Sequence, residues 1–134
     1  MQTLFVDTWF LIALGNRLDG HHSVARRLDD RFRRATLITH DAVLSEVLTY
    51  FSAAGALSRQ GAVDSVRRAL DKYLVEPVSR ALFIDGLQLY ARRIDKAYSH
   101  IDCISMSLMK RLGVTHVLTN DHHFRQEGFT VVNE

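Results

Sequence analysis

Four acidic residues of this 134-residue chain stand where a carboxylate could do chemistry: Asp7, Glu46, Asp102 and Asp121. Asp7 interrupts the apolar run Leu4-Phe-Val-Asp-Thr-Trp-Phe-Leu-Ile-Ala-Leu14, at the point where a strand should turn into a helix. Asp121 stands in the same relation to a second apolar run, Thr115-His-Val-Leu118, which Thr119-Asn-Asp121 follows. Two parallel neighbouring strands ending this way would set both carboxylates side by side. Carboxylates brought together repel one another, and a divalent cation relieves that repulsion.

Each acid also has a purely structural explanation. Asp7 and Asp121 both sit where an aspartate could cap a helix by accepting from free backbone N–H groups. Glu46 lies on the border of the apolar stripe Val43, Leu44, Val47, Leu48 and Phe51, where it could pair with an arginine. Ser99-x-x-Asp102 matches the capping-box pattern, with Asp in place of the preferred Glu or Gln. Asp41 is expected to cap its own helix. The recurrence of an acid beyond two separate strands is what favours a shared site over independent caps.

Other chemistries find less support. His21, His22, His40, His100, His116, His122 and His123 lack the paired spacing of a structural zinc site. His122-His123 beside Asp121 is the exception, but adjacent histidines on a helix face different directions, so joint capture of one ion is not expected. Cys103 is the sole cysteine, without a CxxC partner, and reads as a small core residue in a reducing compartment. There is no GxSxG elbow, no Walker-type glycine loop and no GxGxxG fingerprint.

The elements that must position these residues alternate short apolar runs with longer helical ones. Residues 3–6 read as a buried strand, 8–14 as an apolar helix, 22–34 as a helix and 35–39 as a second strand. Helices are expected over 41–54, 61–74, 80–97 and 100–112, the last stopped by Gly113. Residues 75–78 make at most a short edge strand, because Pro77 cannot donate to a ladder. Residues 115–118 form a further strand, 121–126 one helical turn and 129–132 a closing strand. Strands separated by helices imply a parallel sheet covered on both faces, with sites beyond the carboxyl ends of the strands. Residues 1–134 are expected to make one domain.

The composition, 47% hydrophobic and 24% charged with a net charge of +2, is that of an ordinary soluble protein. The apolar opening segment has no basic flank and is too short to span a bilayer, so a cytoplasmic protein is expected. Arginine outnumbers lysine 14 to 3. The cluster Arg26, Arg27, Arg31, Arg33 and Arg34, and the later Arg92, Arg93, Lys110 and Arg111, could meet phosphates or simply be solvated helix faces.

The spaced set Val6-Asp7-Thr8, Ser45-Glu46-Val47, Ile101-Asp102-Cys103 and Thr119-Asn-Asp121-His-His-Phe124 resembles the PIN domain, in particular the free-standing VapC-type toxins of bacterial toxin–antitoxin pairs. Met109-Lys-Arg-Leu-Gly113 before a strand adds to the likeness, which is collinear over essentially the whole chain. Single motifs of two to six residues are unspecific; four in order are much more so. The resemblance implies a three-layer α/β/α sandwich around a parallel sheet of about four or five strands. It implies an acidic pocket of Asp7, Glu46, Asp102 and Asp121, with hydroxyls from Thr119 and Thr8 beside it. Asp7, Asp102 and Asp121 would hold Mg²⁺ or Mn²⁺, hard ions that suit oxygen ligands, and Glu46 would orient or deprotonate the attacking water. Such an enzyme would hydrolyse RNA to leave a 5′-phosphate and a 3′-hydroxyl.

The same likeness implies a cognate antitoxin that blocks the acidic pocket, with an inserted arginine as one means, and a homodimer for which helices of residues 41–74 offer apolar surface. Two rival readings are a PIN-like module that binds RNA or protein without cutting, and a Mg²⁺-dependent phosphohydrolase of small esters. An intact acidic set argues against the first. Asp7-Thr8-Trp9 lacks the second aspartate of the DxDx[TV] motif, which argues against the second.

Overall fold

The structure, a computed structural model, describes residues 2–134. The chain runs β1 (Thr3–Val6), α1 (Thr8–Gly15), α2 (His22–Arg31), β2 (Thr36–His40), α3 (Asp41–Tyr50), α4 (Ala56–Lys72), β3 (Leu74–Glu76), α5 (Arg80–Arg92), α6 (His100–Leu112), β4 (His116–Leu118), α7 (His123–Gln126) and β5 (Thr130–Val132). All five strands are parallel, in the order β3-β2-β1-β4-β5. Leu4, Phe5 and Val6 are fully buried because the central strand is covered on both faces, which explains its unbroken apolar run.

Helices α1 to α4 pack against one another, and α5 and α6 form the other, most intimate helix pair. This is the expected three-layer sandwich. Gly86 makes the second pair close: a Cβ there would stand 2.7 Å from Ile104 Cγ1 and about as near its backbone, 3.0 Å from the nitrogen.

The sheet also fixes where a site can lie. The chain leaves β1 for β2 on one side and β4 pairs with β1 on the other, so strand order reverses between β1 and β4. A crevice opens beyond the carboxyl ends of strands at such a point. The ladder continues one residue past β1, with Asp7 N donating to Leu118 O at 3.2 Å. Asp7 and Thr119 therefore leave adjacent strands at the same level.

Several boundaries differ from the sequence expectations. The break between α3 and α4 is Gly55, whose φ of 96° a side chain would strain, and Gly61 lies inside α4. Helix α2 stops at Arg31, and Phe32 to Ala35 turn toward β2. Helix α5 ends at Arg92, not Ala97, because the following chain swings toward Glu127, as described below. No helix among the described residues is long and apolar enough to cross a membrane.

Candidate metal centre

Asp7 follows β1 at the N-cap position of α1, yet its side chain makes no capping hydrogen bond. It is instead only 7% exposed, and Oδ2 accepts from the Thr119 hydroxyl at 2.6 Å. The same hydroxyl oxygen accepts from Asp121 N at 3.1 Å. One buried threonine thus ties the carboxylate beyond β1 to the backbone beyond β4. Thr39, the penultimate residue of β2, braces this arrangement by donating to Val6 O at 2.8 Å.

Glu46 comes to the pocket from α3, one and a half turns past the helix start, and accepts a short hydrogen bond from the Thr8 hydroxyl. The helix is set by His40, not by the expected Asp41. Its imidazole Nδ1 accepts from Ala42 N at 3.2 Å and Val43 N at 3.4 Å, so the proton sits on Nε2, 2.8 Å from Ser105 Oγ on α6. An aspartate would cap as well. Only the longer ring reaches a second helix while doing so.

Asp102 caps its helix and also faces His123. Ser99 Oγ accepts from Asp102 N and Asp102 Oδ2 accepts from Ser99 N, each at 3.0 Å, which completes a capping box. The same Oδ2 lies 3.7 Å from His123 Nδ1. Asp121 Oδ1 accepts from His123 N at 2.9 Å, an Asx turn that aims ring and carboxylate toward one place.

The electrostatics follow from this crowding. Burial above all pushes the Asp7 carboxyl up to about 7, the Asp102 and Glu46 carboxylates push it the same way, and the Thr119 hydroxyl only partly opposes them. Asp102 is likewise raised by burial and by Asp121, against its Ser99 hydrogen bonds. Among the described residues, no lysine or arginine pairs with any of the four acids.

The donor set fits a divalent ion: carboxylate oxygens with no lysine or arginine among them, and a buried His123 Nδ1 that has no hydrogen-bond partner but stands at ion-pair distance from Asp121 and Asp102. Asp121, His122 and His123 offer ligand atoms within 4.8 Å of one another. His122-His123 beside Asp121 is the one histidine group that the sequence leaves open, with only joint capture by both rings discounted; the signal for His123 itself is Asp121-x-His123, the spacing of an Asx turn.

Three members of the second basic group are already engaged, and Arg92 is exposed. Arg93 and Lys110 bind Glu127, and Arg111 binds Asp85 at 2.5 Å. Arg26 and Arg27 are exposed.

Comparison with known proteins agrees with this fold. The chain is 29% identical over 130 residues to the 23S rRNA-specific endonuclease VapC20 of Mycobacterium tuberculosis, covering 96% of this chain and 97% of that one. The crystal structure of that protein, described as a sarcin-ricin loop cleaving toxin, superposes with a TM-score of 0.85 at 28% identity over 98% of this chain and 99% of the other. The Rickettsia felis VapBC2 complex bound to promoter DNA shares the fold, with a TM-score of 0.73 at 12% identity over 98% of both chains. The sequence model of the PIN domain matches residues 4–129, a span that contains all four carboxylates, and the chain belongs to the PIN domain family.

Proposed function

We propose that this chain is a metal-dependent endoribonuclease, the toxin of a toxin–antitoxin pair, and that its substrate is structured ribosomal RNA. The observation that carries the reading is the Asp7 carboxyl: buried, beside two other acids, and given one hydroxyl but no basic partner. A divalent ion, Mg²⁺ or Mn²⁺, supplies the missing positive charge and, when bound, polarises the scissile phosphate and acidifies water.

Asp7, Asp102 and Asp121 hold the ion. The Thr119 hydroxyl and the Thr8 backbone N–H fix the Asp7 carboxylate. The Thr8 hydroxyl holds one oxygen of Glu46, whose other oxygen orients the attacking water and takes its proton. The acids lie beyond the strand ends, where ligands of parallel sheets bind, and the exposed Arg26 and Arg27 are the candidates for flanking phosphates. The choice of ribosomal RNA is supported by the likeness to the 23S rRNA-specific relative.

A cognate antitoxin is the expected partner, as in the VapBC complexes that share the fold, and a second copy of the chain is expected besides. Apolar side chains are exposed along α3 and α4, including Leu48 and Leu57, and also along α5 at Phe83, Ile84, Leu87 and Tyr90.

The test is cleavage of ribosomes and of a mixed RNA pool by purified protein with Mg²⁺, Mn²⁺ or EDTA, beside Asp7→Asn. Metal-dependent cutting that the substitution abolishes supports the reading. A folded protein that cuts neither substrate with either metal would leave the non-catalytic binding module as the better account.

A further inference from the structure

His123 is the one buried side chain of the pocket with an unused ligand atom. Nδ1 has no hydrogen-bond partner, although Asp121 Oδ1 lies 3.1 Å away and Asp102 Oδ2 3.7 Å away. Asp121 Oδ1 is near enough but lies off the direction in which the ring nitrogen points. A neighbouring ligand of a shared ion stands in that place; a hydrogen-bond acceptor does not. In an octahedral shell with bonds of about 2.1 Å, adjacent donors are about 3.0 Å apart and opposite donors about 4.2 Å apart. The 3.1 Å to Asp121 is the spacing of adjacent ligands, whereas the 3.7 Å to Asp102 is neither spacing.

The ring is also held in place. Tyr98 packs edge-on against it, centroids 5.4 Å apart, and its own backbone N–H is tied to Asp121. The His122 ring lies 4.6 Å away but is largely exposed, and its Nδ1 is 4.0 Å from Asp121, so it stands outside this set.

We propose that His123 Nδ1 is a ligand of the divalent ion, beside Asp121, and that this nitrogen makes the site prefer Mn²⁺ to Mg²⁺. The proposal rests on the metal site of the ribonuclease reading and extends it. Imidazole is a softer donor than carboxylate; it suits transition metals, whereas Mg²⁺ favours an all-oxygen shell.

The experiment uses metal-free protein loaded with Mn²⁺ and examined by pulsed electron paramagnetic resonance, with ¹⁵N-histidine labelling to identify the coupled nucleus. Wild type is expected to show one histidine nitrogen coupled to Mn²⁺. In His123→Asp, which replaces the nitrogen by an oxygen donor, Mn²⁺ still binds, the coupling disappears, and the Mn²⁺ over Mg²⁺ preference falls on the order of tenfold. Bound Mn²⁺ without nitrogen coupling in wild type overturns the ligand assignment and leaves the site standing, as does a coupling that survives His123→Asp. Failure of folded wild type to bind Mn²⁺ at all overturns the metal site and this assignment together.

Discussion

Replacing the central acid should make the metal-free protein more stable while abolishing its activity. The Asp7 carboxyl titrates at about 7 in the fold against 3.8 for a free side chain. That difference, about three pH units at 1.36 kcal/mol each, sets an upper figure of about 4 kcal/mol. Because the folded state holds the proton more tightly, this contribution to stability is complete below pH 3.8 and is lost as pH rises through about 7. Above that, the fold carries a buried and unpaired charge. Asp7→Asn removes the charge and keeps an oxygen to accept from Thr119. In EDTA at pH 8, the variant should exceed wild type by about 2–4 kcal/mol in urea unfolding, which is several degrees in Tm for a domain of this size. Near pH 4 the two should nearly coincide. Adding Mn²⁺ should then close the gap, since an ion at 100 times its Kd stabilises the protein it binds by about 2.7 kcal/mol and the variant has lost a ligand. A variant no more stable than wild type at pH 8, or a difference independent of pH, would refute the argument that burial of this charge dominates.

Two further outcomes follow from packing and titration outside the acidic set. Burial lowers the His40 imidazole from 6.5 to about 4, so its contribution is present above pH 6.5 and lost as pH falls through about 4. The change amounts to about 3 kcal/mol, opposite in slope to that of Asp7, so it is best read in the Asp7→Asn background, where urea unfolding should show it and His40→Asn should flatten it. Gly86→Ala places a methyl 2.7 Å from Ile104 Cγ1 and 3.0 Å from its backbone nitrogen, which the helices can accommodate only by moving apart. A loss of about 1–3 kcal/mol is expected in thermal unfolding. An unchanged Tm would mean that α5 and α6 are less closely fitted than they look.

The parts of the fold legible in sequence were those fixed by burial on both faces. Strands β1, β2 and β4 and helices α3 and α6 carry apolar runs or stripes that local rules read directly. The misplaced boundaries depended on contacts far along the chain. Helix α5 stops at Arg92 because Arg93 and Tyr98 turn to Glu127, more than 25 residues away, and no local pattern singles out Glu127. His40 displaced Asp41 as the cap of α3 because Ser105 stands within reach of its other nitrogen. In the site, the strand-end acids were visible because topology alone places them. For Asp102 the sequence posed capping against a place in the pocket, and the structure shows the cap, with the same carboxylate facing His123. Asp7 was the reverse case, a residue in the cap position that does not cap.

Glu127 also shows what the acidic pocket lacks. Its side chain is also largely covered, although the residue as a whole is less buried than Asp7; Arg93 binds it through both oxygens, at 2.9 and 3.0 Å, Lys110 reaches it at 2.8 Å and Tyr98 at 3.1 Å. The arginine hydrogen bond leads the causes that hold its carboxyl down at about 2, against the opposing effect of burial. Asp7, with one hydroxyl and two acids for company, is pushed the other way. The same chain therefore neutralises one buried acid with its own cations and leaves another uncompensated. Stability does not require that asymmetry, because a neutral residue at position 7 would serve the fold better. A carboxylate kept at that expense needs positive charge from outside the chain. On the proposed reading a divalent ion supplies it during catalysis, and an arginine from an antitoxin would supply it during inhibition. The two should compete for the same oxygens.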